Sequence, residues 1–171
     1  SDASEQPFVG LKVYGKSEQF TTDGAQLLNP ALYDKDKTVN GVTFTKQADG
    51  SVILTGKSTG ASTFYLGEYV DVLEDGKTYI YGSGSPLGVI NITYNDGTSN
   101  GYLNVITVDK SRMTSIKPYI QFNIEKPPTN NMRILPMFNE GTVIKPWEPY
   151  SGGKTSPSPE YPQKIVSAGE S

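Results

Sequence analysis

From Val39 onward, apolar and polar residues alternate in short runs separated by turn residues at close intervals. The runs cover Val39 to Lys46, Ser51 to Lys57, Thr63 to Leu73, Lys77 to Tyr81, Val89 to Tyr94, Gly101 to Thr107, Lys117 to Glu125 and Asn131 to Phe138. A period of two, repeated at this spacing, predicts strands of a sandwich or barrel. Asp49-Gly50, Asp75-Gly76 and Asp96-Gly97 supply residues that tolerate positive φ, as hairpin turns require. Gly82-Ser83-Gly84-Ser85-Pro86 and Lys126-Pro127-Pro128-Thr129-Asn130 are longer breaks. No window sustains an i, i+3, i+4 apolar stripe, so little helix is expected. The expected fold class is all-β: a jelly-roll β-sandwich of about eight antiparallel strands, two sheets packed face to face.

In a jelly roll, the second, seventh, fourth and fifth runs share one sheet. Alternation then points Val52, Leu54, Ile120, Phe122, Ile124, Thr78, Ile80, Ile90, Ile92 and Tyr94 inward. The opposite face collects Tyr79, Tyr81, Asn91, Thr93, Tyr119, Gln121 and Asn123. A sugar ring has an apolar C–H face and a rim of hydroxyls, so a binder needs aromatic rings to stack on and amides or hydroxyls to pair with. Tyr and Asn freeze few torsions on a rigid strand, which lowers the entropic cost of recognition. These seven residues are the candidate ligand-binding set. The competing reading is an ordinary solvent-facing sheet, on which Tyr and Thr are simply good strand formers. If the set binds ligand from an exposed face, Tyr119→Ala and Gln121→Ala abolish binding and leave stability nearly unchanged.

Composition narrows the chemistry. A chain of 171 residues fits one domain with linkers. The 18 Gly, 12 Pro and 11 Tyr favour strands and turns. With a formal net charge of -3 and scattered Lys and Arg, there is no footprint for a nucleic-acid backbone. No apolar run approaches the roughly 20 residues that span a bilayer, and the N-terminus carries no secretion-signal pattern, so neither a membrane partner nor classical export is expected. Cys and His are absent, which removes disulfides, thiolate metal sites and any Ser-His-Asp arrangement. Such a chain suits assembly in a reducing cytosol.

Carboxylates are the remaining reactive groups. A glycosidase needs two acids facing each other across roughly 5 to 9.5 Å. Glu68, Asp71, Glu74 and Asp75 are close in sequence, but Glu74 and Asp75 precede Gly76 in a turn pattern and read as solvated loop residues. The chain is read as a non-enzyme, with no catalytic residues and no cofactor. A loop-stapling calcium is the one ion with oxygen donors to draw on, from Asp34 with Asp36 or Asp96 with Asp109, although no EF-hand spacing assigns ligands.

The last quarter carries a specific series: Pro136-Met137-Phe138-Asn139-Glu140-Gly141, then Trp147-Glu148-Pro149-Tyr150-Ser151-Gly152-Gly153, then Pro157-Ser158-Pro159-Glu160-Tyr161-Pro162-Gln163-Lys164-Ile165. This order resembles the closing signature of carbohydrate-binding-module-like domains in distal tail or minor structural proteins of bacteriophages and prophages of Gram-positive bacteria. Gly15 to Gly24 and Gln26-Leu27-Leu28-Asn29-Pro30 are similar to the segment that opens such a domain. The resemblance implies a jelly-roll module that attaches without catalysis to cell-wall polysaccharide of the host. It implies residence in the virion tail or baseplate, made in host cytoplasm and extracellular after lysis, with other tail subunits as partners and multivalency strengthening weak sites. The alternative is a spacer or docking domain within the tail that has no glycan ligand, for which an exposed apolar patch is the expected mark. In the resembling modules the aromatic at the position of Trp147 belongs to the closing clasp; Trp147 as a stacking platform is the other reading.

The expected organisation is a lead-in with a short strand over 1–30, the jelly-roll module over 31–150 and a Pro-rich exit linker over 151–171. The Ser156 to Pro162 stretch favours extended, semi-rigid geometry. In the resembling proteins, its continuation leads into a further module, so a longer parent polypeptide is expected.

Overall fold

The computed structural model of the protein describes residues 24–83, 87–122 and 129–152. Ala25–Tyr150 form one compact unit. The fold is all-β, and the regular structure among the described residues comprises eleven strands and one 3-10 turn at Pro30–Leu32. Strands β1 (Lys37–Val39), β2 (Val42–Lys46), β3 (Val52–Gly56) and β10 (Thr129–Ile134) form one sheet in the order β1-β2-β3-β10. Strands β4 (Ser62–Tyr65), β6 (Leu87–Tyr94), β7 (Ser99–Leu103) and β9 (Met113–Phe122) form a second, β4-β9-β6-β7. Strands β5 (Thr78–Gly82), β8 (Val105–Thr107) and β11 (Met137–Glu140) form a third, β11-β5-β8. Every pairing is antiparallel.

Three predicted runs are each split or shortened by local chemistry. Val39 to Lys46 is a hairpin, because Asn40 and Gly41 adopt φ of 48° and 86° and Val39 pairs with Val42 across them. Such a two-residue Asn-Gly turn matches the twist of its strands. The run from Asn131 to Phe138 divides between two sheets: Ile134 pairs with Val52, whereas Met137 pairs with Gly82. Pro136 lies between them and has no N–H to continue a ladder. Gly101 to Thr107 divides likewise at Asn104, whose carbonyl accepts from the Tyr81 N–H at 2.9 Å and whose Nδ2 donates to the Gly88 carbonyl at 3.0 Å.

The inner faces of all three sheets meet in one core. Phe44 of β2 stacks on Phe64 of β4 with centroids 5.2 Å apart and planes 11° from parallel. Val42, Val52, Leu54, Ile90, Ile92, Ile116, Ile120, Phe122 and Phe138 are buried around them. Offset-stacked rings in such a core contribute beyond their buried area.

The expected four-strand grouping does not form. Only the seventh and fifth runs are neighbours, as β9 and β6; β3 lies between β2 and β10, and β5 between β11 and β8. Inward alternation agrees at Val52, Leu54, Ile90, Ile92, Ile120 and Phe122. It is inverted on β5, where Tyr79 and Tyr81 are 4% and 1% exposed while Thr78 and Ile80 are half-buried. Thr-Tyr-Ile-Tyr offers an apolar residue at either parity, and the rings win because Phe138 receives both, at centroid distances of 6.0 and 6.2 Å. Ile124 lies outside the described residues.

Residues 25–30, read as lead-in, belong to this unit. Gln26 is buried and makes four hydrogen bonds. Its Nε2 donates to the carbonyls of Pro136 (2.9 Å) and Glu148 (3.1 Å), and its Oε1 accepts from the N–H groups of Leu28 (3.1 Å) and Phe138 (3.2 Å). Glu148, also buried, accepts at Oε2 from the Ala25 N–H at 2.7 Å. Asn139, fully buried, donates to the carbonyls of Glu140 and Val143 and accepts from the Lys145 N–H. The opening and closing motifs therefore meet, and their polar residues satisfy backbone groups that burial would otherwise leave unpaired.

Candidate functional site

The outer face of β4-β9-β6-β7 is built by cross-strand rows. Antiparallel partners project to the same side, so the pairings Tyr65↔Tyr119↔Val89, Thr63↔Gln121 and Lys117↔Asn91 set three rows, and Ser115↔Thr93↔Ser99 a fourth. Four of the seven predicted site residues, Asn91, Thr93, Tyr119 and Gln121, are brought together there. Tyr79 and Tyr81 are not: they are core residues of another sheet. The Tyr79 hydroxyl accepts from the Glu74 N–H at 3.0 Å, and the Tyr81 hydroxyl donates to the Tyr119 carbonyl at 3.2 Å. Burial pushes the Tyr81 phenol far above its ordinary value. Asn123 lies outside the described residues.

Within the face, Tyr119 and Tyr65 sit 5.5 Å apart with their rings tilted by 52°. The Lys117 ammonium lies 5.2 Å from the centre of the Tyr65 ring, a cation–π contact. Gln121 Nε2 donates to Thr63 Oγ1 at 3.4 Å. Tyr119 is only 6% exposed, although it and Val89 lie outside the central core cluster. Burial, the neighbouring Tyr102 and then Tyr65 push its phenol up, against an opposing contribution from the Tyr102 backbone N–H. Tyr119 is thus the floor of the face, and Tyr119→Ala removes packing as well as any ligand contact.

Three residues on this face escaped the sequence reading. Tyr65 and Thr63 belong to a run that ends as a strand at Tyr65, and Lys117 occupies the same parity as Tyr119 and Gln121. Alternation along Lys117-Pro118-Tyr119-Ile120-Gln121 carried the signal for Lys117. No sequence signal told that β4 is the neighbour of β9.

Glu68, Asp34, Asp36, Asp49, Asp96 and Asp109 accept hydrogen bonds from protein donors. Glu68 accepts from the Ser115 hydroxyl and from the N–H groups of Ile116 and Val70. Asp34 receives the Tyr65 N–H and the Lys37 ammonium, and Asp36 the Lys46 N–H. Asp49, Asp96 and Asp109 share one motif, Asp-x-Ser/Thr, in which Oδ1 accepts both the N–H and the hydroxyl two residues on. These are Asx turns. No group of three or more potential metal-ligating acids occurs among the described residues.

Trp147 is half-buried under the Arg133 guanidinium, whose centre is 5.6 Å from its ring. Arg133 also donates to Asp49 at 2.6 Å and to the Ser51 hydroxyl at 3.3 Å. The indole N–H has no hydrogen-bond partner among the described residues. Tyr150 is 39% exposed. Comparison of the chain with protein-family models, curated proteins and solved structures finds no match.

Proposed function

We propose that the chain is a non-catalytic carbohydrate-binding module of the jelly-roll type, part of a phage tail or baseplate protein, that attaches to glycan on the host cell surface. The observation that carries this reading is the outer face of β4-β9-β6-β7, where Tyr65 and Tyr119 lie among Thr63, Asn91, Thr93, Lys117 and Gln121. Amide and hydroxyl groups spaced by a sheet match the hydroxyls of a sugar, and the half-buried Tyr65 ring, backed by the buried Tyr119, matches its C–H face. The resemblance of the opening and closing motifs to phage tail modules supplies the setting: the virion tail as location, and cell-wall polysaccharide and other tail subunits as partners.

The test is an NMR or calorimetric titration with soluble polysaccharide released from Gram-positive cell walls. Gln121→Ala and Tyr65→Ala should each weaken binding at least severalfold while melting near the parent temperature, because both positions are only half-buried. Unchanged affinity in both variants would refute the site.

A spacer or docking domain within the tail is the second reading. It is favoured by Val143 and Ile144, 73% and 42% exposed in the turn that follows β11. Exposed apolar side chains side by side suit protein contact better than sugar contact.

A further inference from the structure

Strand β7 contains a backbone irregularity with an unusual occupant. Ile90 pairs with Leu103 but Ile92 pairs with Asn100, so Gly101 and Tyr102 together face Asn91 across a bulge. Tyr102 adopts φ of 63°, a left-handed conformation that strains a non-glycine residue. The other non-glycine residues with positive φ are Asn40 and Asn131, a type that tolerates this region. Tyrosine does not, and the Tyr102 side chain is 65% exposed, so burial does not offset the strain. Facing Asn91 across the bulge, the exposed Tyr102 stands on the edge strand of the face described above. Gly101, beside it, borders the same face: a Cβ there would stand 3.4 Å from the Tyr119 hydroxyl and 3.5 Å from Asn91 Oδ1, in ordinary contact with both.

Among the described residues, Lys117 is the charged side chain within the cross-strand rows of this face, and Glu68 touches its Ser115 end. Lys117 pairs across the strands with Asn91, the residue that the bulge confronts. Its ammonium rests on the Tyr65 ring, and no carboxylate lies within ion-pair distance of it among the described residues. Glu68, the acid next to the Ser115 end of β9, has its oxygens occupied by three donors. A cation with no counter-ion among the described residues, on a protein of net charge -3, offers a place for an anion brought by a ligand.

We infer that this face takes an acidic saccharide, with its sugar ring against Tyr102 and its anionic group, carboxylate or phosphodiester, at Lys117. The inference rests on the glycan-binding reading and narrows it to a substrate class. Polysaccharide released from Gram-positive walls, separated by anion exchange into an acidic and a neutral fraction, is the probe, titrated into the intact chain.

The acidic fraction should bind and the neutral fraction bind at least fivefold more weakly. Lys117→Gln should remove about fivefold of the affinity for the acidic fraction, and raised salt should mimic it. Tyr102→Gly should weaken binding about tenfold, with Tyr102→Asn, which suits the same backbone, as the second variant. Carbodiimide-borohydride reduction of the acidic fraction removes uronate charge and hydrofluoric acid removes phosphodiesters, so the treatment that abolishes binding identifies the anion. Equal binding of both fractions, insensitive to salt and to Lys117→Gln, would overturn the inference while leaving a glycan site. Undiminished binding by both Tyr102 variants would overturn it too, and failure of both fractions to bind the folded parent chain would remove the glycan reading along with it.

Discussion

Replacing Gln26 by leucine preserves size and removes four hydrogen bonds from the junction between the opening and closing motifs. The carbonyls of Pro136 and Glu148 and the N–H groups of Leu28 and Phe138 lose their partners. At about 1 kcal/mol net for each bond, the loss is about 4 kcal/mol. Burying leucine in place of an amide returns about 1 kcal/mol. The expected destabilisation is therefore about 3 kcal/mol, a large share of the stability of an ordinary domain. In urea, with a slope of about 1.5 kcal/mol/M, the midpoint should fall by about 2 M with the slope unchanged. Circular dichroism and tyrosine fluorescence followed together establish whether one transition is involved. A midpoint shift worth less than about 0.5 kcal/mol would refute the reasoning, because it would mean that residues 25–30 do not close the unit.

Three further expectations follow from the same contacts. Tyr81→Ala should destabilise by about 3–5 kcal/mol, since Tyr81 is 1% exposed against Phe138, and a variant that melts like the parent would return this residue to the surface. Tyr102→Gly should leave the melting temperature unchanged or higher, because relief of a left-handed tyrosine offsets the added freedom of glycine in the unfolded chain; a marked loss would show that the ring packs. Burial raises the Asp49 carboxyl, but hydrogen bonds from Ser51 and the Arg133 guanidinium outweigh it and hold it below its ordinary value. A carboxyl depressed in the folded state contributes stability above the unfolded pKa, about 3.9, and loses it as pH falls through the folded value. Asp49→Asn should therefore be less stable than the parent at pH 7, with the difference shrinking below about pH 4; a constant difference would exclude that linkage.

The strands were legible because alternation and turn chemistry are local. Asp49-Gly50 and Asp96-Gly97 mark turns that form, and Gly50 and Gly97 take positive φ. What alternation does not encode is which strands are neighbours. Residues opposite one another on β9 and β4 lie some 58 positions apart, as Gln121 and Thr63 do, and nothing in either run names the other. Parity was legible where one face was plainly apolar, as in Ile90 and Ile92, and failed on β5, where both faces offered large side chains and only Phe138 decided between them. Half of the candidate face was therefore within reach of the sequence through Asn91, Thr93, Tyr119 and Gln121. Lys117 shares the parity of Tyr119 and Gln121 on β9 and was within reach too, whereas Tyr65 and the bulge at Tyr102 depend on the pairing of β4 and β7 with their neighbours.

The central claim is that the outer face of β4-β9-β6-β7 attaches the chain to a host glycan. Binding of the fluorescently labelled chain to purified Gram-positive cell walls, before and after chemical removal of their surface polysaccharide, tests it most directly. The account predicts binding that disappears with the polysaccharide and is weakened by Gln121→Ala. Folded protein that binds no wall, or binds stripped walls equally well, would contradict it.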